Sequence, residues 1–136
     1  MRNKKVVLFV CIHNAGRSQM AEGIFNQLAG DRGQAYSAGT KPANKVNPVV
    51  IEAMQEIGID ISANTPKALT LDMVEKADNK MITMGCGDDA EAACPANIIE
   101  TEDWTLDDPK EKSLEQIREI RDEIKVRVTR LINEIF

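Results

Sequence analysis

Cys11 and Arg17 frame the segment Cys11-Ile12-His13-Asn14-Ala15-Gly16-Arg17-Ser18. A thiol, a short loop with small residues and a guanidinium at this spacing suit nucleophilic attack on a tetrahedral oxyanion. Small residues let backbone N–H groups turn inward as an anion nest. Arg17 offers a planar fork for two oxygens. A helix opening at Ser18 would add about half a positive charge at its N-terminus. The same positive field favours the thiolate form of Cys11. Ser18 is placed to donate a hydrogen bond to that sulfur or to cap the helix. The plain alternative is a buried cysteine that happens to precede a loop. A strand before the motif and a helix after it favour the chemical reading.

A thiolate facing an oxyanion needs an acid for the departing oxygen. Asp107-Asp108-Pro109 supplies one in a turn after Trp104. Pro109 pushes Asp108 towards an extended conformation, which could aim its carboxylate into a cleft. Alternatively this aspartate pair is a solvated cap of the final helix. Two further thiols follow the third expected strand. Cys86 lies between glycines in Met84-Gly85-Cys86-Gly87, and Cys94 comes eight residues later, before Pro95. They could be two unrelated small residues. Three cysteines at loop positions in one α/β chain favour a thiol relay instead.

The elements that would position these residues alternate strand and helix. Lys5–Val10 is an apolar, β-branched run suited to a strand buried on both faces. Ser18–Leu28 carries Met20, Ile24 and Leu28 at a spacing of four, which predicts a helix. Gln34–Ala38 reads as a second strand. Asn47-Pro48 marks a helix start, with Val50, Met54 and Ile57 facing inward and Gly58 at its C-terminal end. Thr70 caps a short helix through Leu71, Val74 and Ala77. Lys80–Met84 reads as a third strand and Ala96–Ile99 as a weak fourth. Ile117, Ile120, Ile124, Val128, Leu131 and Ile135 mark one long amphipathic helix over Lys112–Ile135. Such alternation predicts a parallel sheet covered on both faces, with ligands bound beyond the C-terminal ends of the strands. Cys11 ends the first strand, and Cys86 follows the third.

Composition narrows the class. The 136 residues suggest one domain over 1–136, and 43% apolar content is enough for an ordinary core. The net charge is −5, but residues 1–50 carry +5 and the rest −10. The span Asp88–Asp108 holds eight acids and no base. The acidic total argues against a nucleic-acid partner. Val6–Ile12 is the longest apolar run, too short for a membrane span or a secretory leader, so a cytoplasmic protein is expected. Three cysteines and one histidine fit neither a disulfide scaffold nor a zinc site of CxxC type. No metal or cofactor is expected.

These residues carry a family resemblance. The motif Cys11–Gly23, then Tyr36-Ser37-Ala38-Gly39, Asn47-Pro48, Met84-Gly85-Cys86-Gly87, Cys94-Pro95 and Glu102–Pro109 resemble the thioredoxin-coupled arsenate reductases. That family shares the fold of the low-molecular-weight protein tyrosine phosphatases. The resemblance implies an α/β three-layer sandwich, with a four-stranded parallel sheet of order 2-1-3-4 and helices on both faces. It implies that arsenate, or a phosphate-like oxyanion, sits in the loop Ile12, His13, Asn14, Ala15, Gly16, Arg17 and Ser18. Cys11 would attack the arsenic while Asp108 protonates the departing oxygen. Cys86 would then attack Cys11 and release arsenite. Cys94 would next attack Cys86, leaving a Cys86–Cys94 disulfide for thioredoxin to reduce. A monomer is expected.

Two positions depart from the pattern. His13 stands where some relatives carry glycine and is read as a backbone N–H contributor. Some relatives bind potassium through Asn, Glu, Ser and Asp; here Asn14, Glu22 and Ser37 match, but Lys67 takes the fourth position. An ammonium there would replace the cation, so no potassium requirement is expected. Two rival functions remain open. A tyrosine phosphatase would use the same Cys11, Arg17 and Asp108, but such relatives usually carry aromatics after the Asp-Pro turn, where this chain has Lys110-Glu111-Lys112. A non-catalytic thiolate metal sensor would use the three cysteines and leave Arg17 and Asp108 without a role.

Overall fold

A computed structural model describes residues 5–77, 80–84, 101–104, 106 and 112–135. Cys86, Cys94, Asp107 and Asp108, together with the Ala96–Ile99 segment expected as a strand, lie outside the described residues.

The strands β1 (Lys5–Cys11), β2 (Gly33–Gly39), β3 (Lys80–Thr83) and β4 (Thr101–Asp103) form a parallel sheet in the order β2-β1-β3-β4. The helices are α1 (Arg17–Ala29), α2 (Pro48–Gln55), α3 (Leu71–Lys76) and α4 (Leu114–Ile135). The connections from β1 to β2 and from β2 to β3 must each cross a face of the sheet, which is why α1 separates the first pair and α2 and α3 the second.

Alternation along β1 divides the core. Val7, Phe9 and Cys11 point into a large cluster with α1, α2 and α4. Leu8 and Val10 point the other way, onto Val74 and Ala77 at α3. A strand buried on both faces reads as the unbroken apolar run seen in the sequence. Phe9 packs between Phe25 of α1 and Trp104 beyond β4, with ring centroids 6.1 and 5.8 Å apart. These contacts are edge-on or tilted, as aromatic quadrupoles favour.

Two local readings need correction. Leu28 is 38% exposed, because a spacing of four rotates the stripe by about 40° per step on a 3.6-residue helix. Met20, Ala21, Ile24, Phe25 and Ala29 form the buried face instead. The cap of α4 is Ser113 rather than the aspartate pair. Its Oγ accepts from Gln116 N at 3.2 Å, and Gln116 Oε1 accepts from Ser113 N at 3.0 Å. This is a reciprocal capping box. The described fourth strand is Thr101–Asp103, and the Ala96–Ile99 expectation falls on residues outside those described.

Other caps match the sequence. Asn47 Oδ1 accepts from Val49 N at 2.9 Å, with Pro48 opening α2. Thr70 Oγ1 accepts from Met73 N at 3.2 Å. Gly58 takes φ +80°, a left-handed value that glycine adopts freely, just past α2. Among the described residues no helix is long and apolar enough to cross a membrane.

Candidate functional site

The loop between β1 and α1 is shaped by where its carbonyls go. Cys11 O accepts from Thr40 N, Ile12 O from Lys41 N, His13 O from Ala43 N and Ala15 O from Asn47 N, at 2.8–3.2 Å. Asn14 O accepts from Gln19 Nε2 at 3.3 Å, and Gly16 O from Met20 N at 2.9 Å. In a trans peptide the N–H points opposite to the preceding carbonyl. Six consecutive carbonyls thus fixed to the surrounding frame leave the amides from Ile12 to Arg17 directed the other way. The 40–47 segment acts as a splint along the outside of the loop.

Close approach makes this splint possible. A Cβ on Gly39 would stand 2.6 Å from Ile12 O and 3.0 Å from Asn14 N. Only glycine lets the end of β2 lie this near the loop. Gly39 also exchanges bonds with the following segment, donating to Lys67 O at 2.8 Å and accepting from Leu69 N at 2.9 Å. That pairing brings residues 64–69 beside the loop.

Cys11 is a free, buried thiol at the C-terminal end of β1. Its Sγ lies 2.9 Å from Ser18 Oγ and accepts from Asn14 N at 3.2 Å. Asn14 has φ +52°, a left-handed backbone that asparagine tolerates better than most residues. Its side chain holds it there: Nδ2 donates to Ser18 Oγ at 2.7 Å, and Oδ1 accepts from Lys67 N at 2.8 Å. Arg17, the first residue of α1, is buried and donates through Nη1 to Leu106 O at 3.1 Å. Of the expected site residues, Cys11, the loop, Arg17 and Ser18 are thus brought together. The structure leaves Cys86, Cys94 and Asp108 undescribed.

Beside the loop, Ser37 Oγ donates to Glu22 Oε1 at 2.9 Å, and Lys67 Nζ stands 4.0 Å from the same oxygen. Burial pushes the Glu22 carboxyl above its ordinary range, partly offset by the Lys67 ammonium and the Ser37 hydrogen bonds. This donor set does not suit a monovalent cation, because Lys67 already supplies the positive charge.

Several contributors were not legible from the motif. Gln19 is fully buried and donates to Asn14 Oδ1 at 3.1 Å, while its own Oε1 accepts from Asn64 Nδ2 at 3.1 Å. The Leu106 carbonyl and the Lys67 backbone N–H are equally silent in sequence, since main-chain partners carry no side-chain signature. For Gln19 the available signal was a polar residue directly beside Met20 on the inner face of α1.

A strand-ending thiol, a loop splinted by its carbonyls and an arginine opening the next helix agree with the comparisons. The profile described as low molecular weight phosphotyrosine protein phosphatase matches residues 6–136. The chain belongs to this family.

Within the low-molecular-weight phosphatase family it is similar to enzymes named for a different activity. Arsenate reductase 2 of Staphylococcus epidermidis is 39% identical over 128 residues, covering 93% of this chain and 95% of that protein. A solved arsenate reductase in its phosphate-binding state has a TM-score of 0.82 and 36% identity, covering 97% of this chain and 99% of that one. A thioredoxin-dependent arsenate reductase of Corynebacterium glutamicum has a TM-score of 0.80 and 39% identity. It covers 97% of this chain, which spans 62% of the length of that one.

Proposed function

We propose that this protein is a cytoplasmic arsenate reductase that uses three thiols in sequence and is recycled by thioredoxin. The observation that carries the reading is the Cys11 loop. Its carbonyls are bonded outward, and the thiol accepts a hydrogen bond from Asn14 N. Such a loop suits a dianionic tetrahedral oxyanion over a neutral ligand. The named activity of relatives that match nearly the whole chain selects arsenate among such anions.

The sequence of steps balances on residues of this chain. The Cys11 thiolate attacks As(V), and an S–As bond forms as one oxygen departs. Asp108 donates a proton so that this oxygen leaves as water. Arg17 and the loop amides hold the remaining oxygens. The thiolate of Cys86 then attacks Cys11 Sγ. An S–S bond forms, the S–As bond breaks, and its electron pair leaves with arsenic as As(III). Two thiols have supplied two electrons. Cys94 attacks Cys86 and frees the Cys11 thiolate, moving the disulfide to Cys86–Cys94. A dithiol of the thioredoxin class reduces that bond. Asp107 is the neighbouring carboxylate that could stand in for Asp108.

A test is arsenite formation by wild type and Cys11→Ser in one turnover, without a recycling system. Wild type should release about one equivalent of arsenite per chain by this scheme. Cys11→Ser should release none, and arsenite production by that variant would refute the nucleophile assignment. Family membership also favours a residual phosphatase activity. Hydrolysis of an aryl phosphate should be slow and should depend on Cys11. Fast aryl phosphate hydrolysis with no arsenite formation would select the phosphatase reading.

A further inference from the structure

We infer that Gln19 and Asn64 are positioning residues that set the direction of the hydrogen bond received by Cys11. This deepens the reading of Cys11 as the nucleophile and rests on it. The chain of contacts begins at Asn64, whose Nδ2 donates to Gln19 Oε1 at 3.1 Å. Gln19 therefore presents its amino group inward. Nε2 meets three oxygens there: Asn14 Oδ1 at 3.1 Å, Asn14 O at 3.3 Å and Thr65 O at 3.4 Å. The opposite rotamer would set Oε1 against those oxygens, so the assignment of this amide is fixed by its surroundings.

Asn14 is fixed in turn. Its Oδ1 accepts from Gln19 Nε2 and from the Lys67 backbone N–H, a donor that cannot reverse. Nδ2 must then face Ser18 Oγ, to which it donates at 2.7 Å. The Ser18 oxygen thus accepts from Asn14, which leaves its hydrogen available to Cys11 Sγ, 2.9 Å away. Asn14 N adds a second donor to the same sulfur. Two groups thus converge on the sulfur and fix its place in the loop. Asn14, Ser18 and Gln19 are fully buried, so water cannot substitute readily for a lost partner. Neither Gln19 nor Asn64 is bonded to the sulfur; they act through Asn14 and Ser18.

The experiment measures alkylation of Cys11 by iodoacetamide against pH, in a chain carrying Cys86→Ser and Cys94→Ser. It is run with Gln19→Leu, Asn64→Ala and both together. Gln19→Leu should slow alkylation about tenfold at neutral pH and leave the rate in strongly alkaline solution unchanged. Asn64→Ala, at a partly exposed position, should slow it less. The combined variant should be no slower than Gln19→Leu, because Asn64 acts only through Gln19. Multiplying effects, or an unchanged neutral-pH rate in either folded variant, would overturn the inference. Should Gln19→Leu fail to fold, Asn64→Ala alone decides, by slowing at neutral pH or by no change. The readout needs no arsenate, so a failure of arsenate reduction by wild type would count against the proposed function and not against this arrangement.

Discussion

Arg17 and Leu106 are joined by a 3.1 Å hydrogen bond from Nη1 to the backbone carbonyl, across 89 positions of chain. The bond ties the start of α1 to the segment that leads into Asp107 and Asp108. Arg17 thus has a main-chain partner that holds its guanidinium in addition to the role proposed for it with the oxyanion. A planar fork can bond a carbonyl through one nitrogen and an anion through others, which a lysine ammonium cannot match in geometry.

Arg17→Lys should therefore keep the charge and lose the fork. Arsenate kcat/KM should fall by about 10- to 100-fold, the usual range for a lost hydrogen bond to a charged group. Steady-state kinetics over a range of arsenate concentrations checks this. Activity equal to wild type would show that charge alone suffices.

Gly39→Ala tests the splint. The added methyl would collide with Ile12 O at 2.6 Å, and both neighbours are backbone held by other bonds. Stability should fall by about 2 kcal/mol, and Cys11 alkylation at neutral pH should slow as the loop is displaced. Chemical denaturation and thiol labelling report the two effects separately.

Lys67→Met tests the charge beside the loop. Glu22 is held above its ordinary value of 4.5, so the native state binds more protons than the unfolded state over the window above 4.5. Stability from this group is greatest below that window and falls as pH rises through the folded value. Removing Lys67 should push Glu22 further up. The variant should lose more stability at pH 7 than at pH 4, by about 0.5 kcal/mol, since the ammonium is 40% exposed and screened by solvent. Urea midpoints at the two pH values measure the difference. Activity of the wild type should be the same in sodium and potassium buffers.

Glu56 gives the opposite sign. It follows α2 and is gripped by Arg118 and Arg121 of α4, with Arg121 also donating to Ala53 O at 2.8 Å. The Arg118 hydrogen bonds, and secondarily those of Arg121, hold its carboxyl down at about 2 against an ordinary 4.5. Its contribution is complete above 4.5 and is lost as pH falls towards 2. Glu56→Gln should be less stable at neutral pH and show a shallower loss of stability between pH 4.5 and 2. Denaturation midpoints across that range check it; parallel curves for the two proteins would contradict the assignment.

Much of the framework was legible in the sequence because it depends on apolar periodicity and end signals. The unbroken run Lys5–Val10, the Asn47-Pro48 start and the α4 stripe each became the expected element. The loop was legible because Cys11, Arg17 and Ser18 are chemically distinctive at that spacing. Its supports were less so. Gly39 is needed because two segments far apart in sequence meet at 2.6 Å, which no local pattern encodes. Gln19 resembles an ordinary helix residue until its burial is known. The Asp107-Asp108-Pro109 turn could equally be read as a helix cap; Ser113 turned out to hold that place because it has Gln116 three residues on.

The most direct test of the relay is NADPH consumption with arsenate, thioredoxin and thioredoxin reductase, comparing wild type with Cys94→Ser. Wild type should turn over many times. Cys94→Ser should stop after roughly one turnover, with the Cys11–Cys86 disulfide left in place, because no thiol remains to move it to a surface that thioredoxin reaches. Equal sustained turnover by both proteins would contradict the three-thiol account.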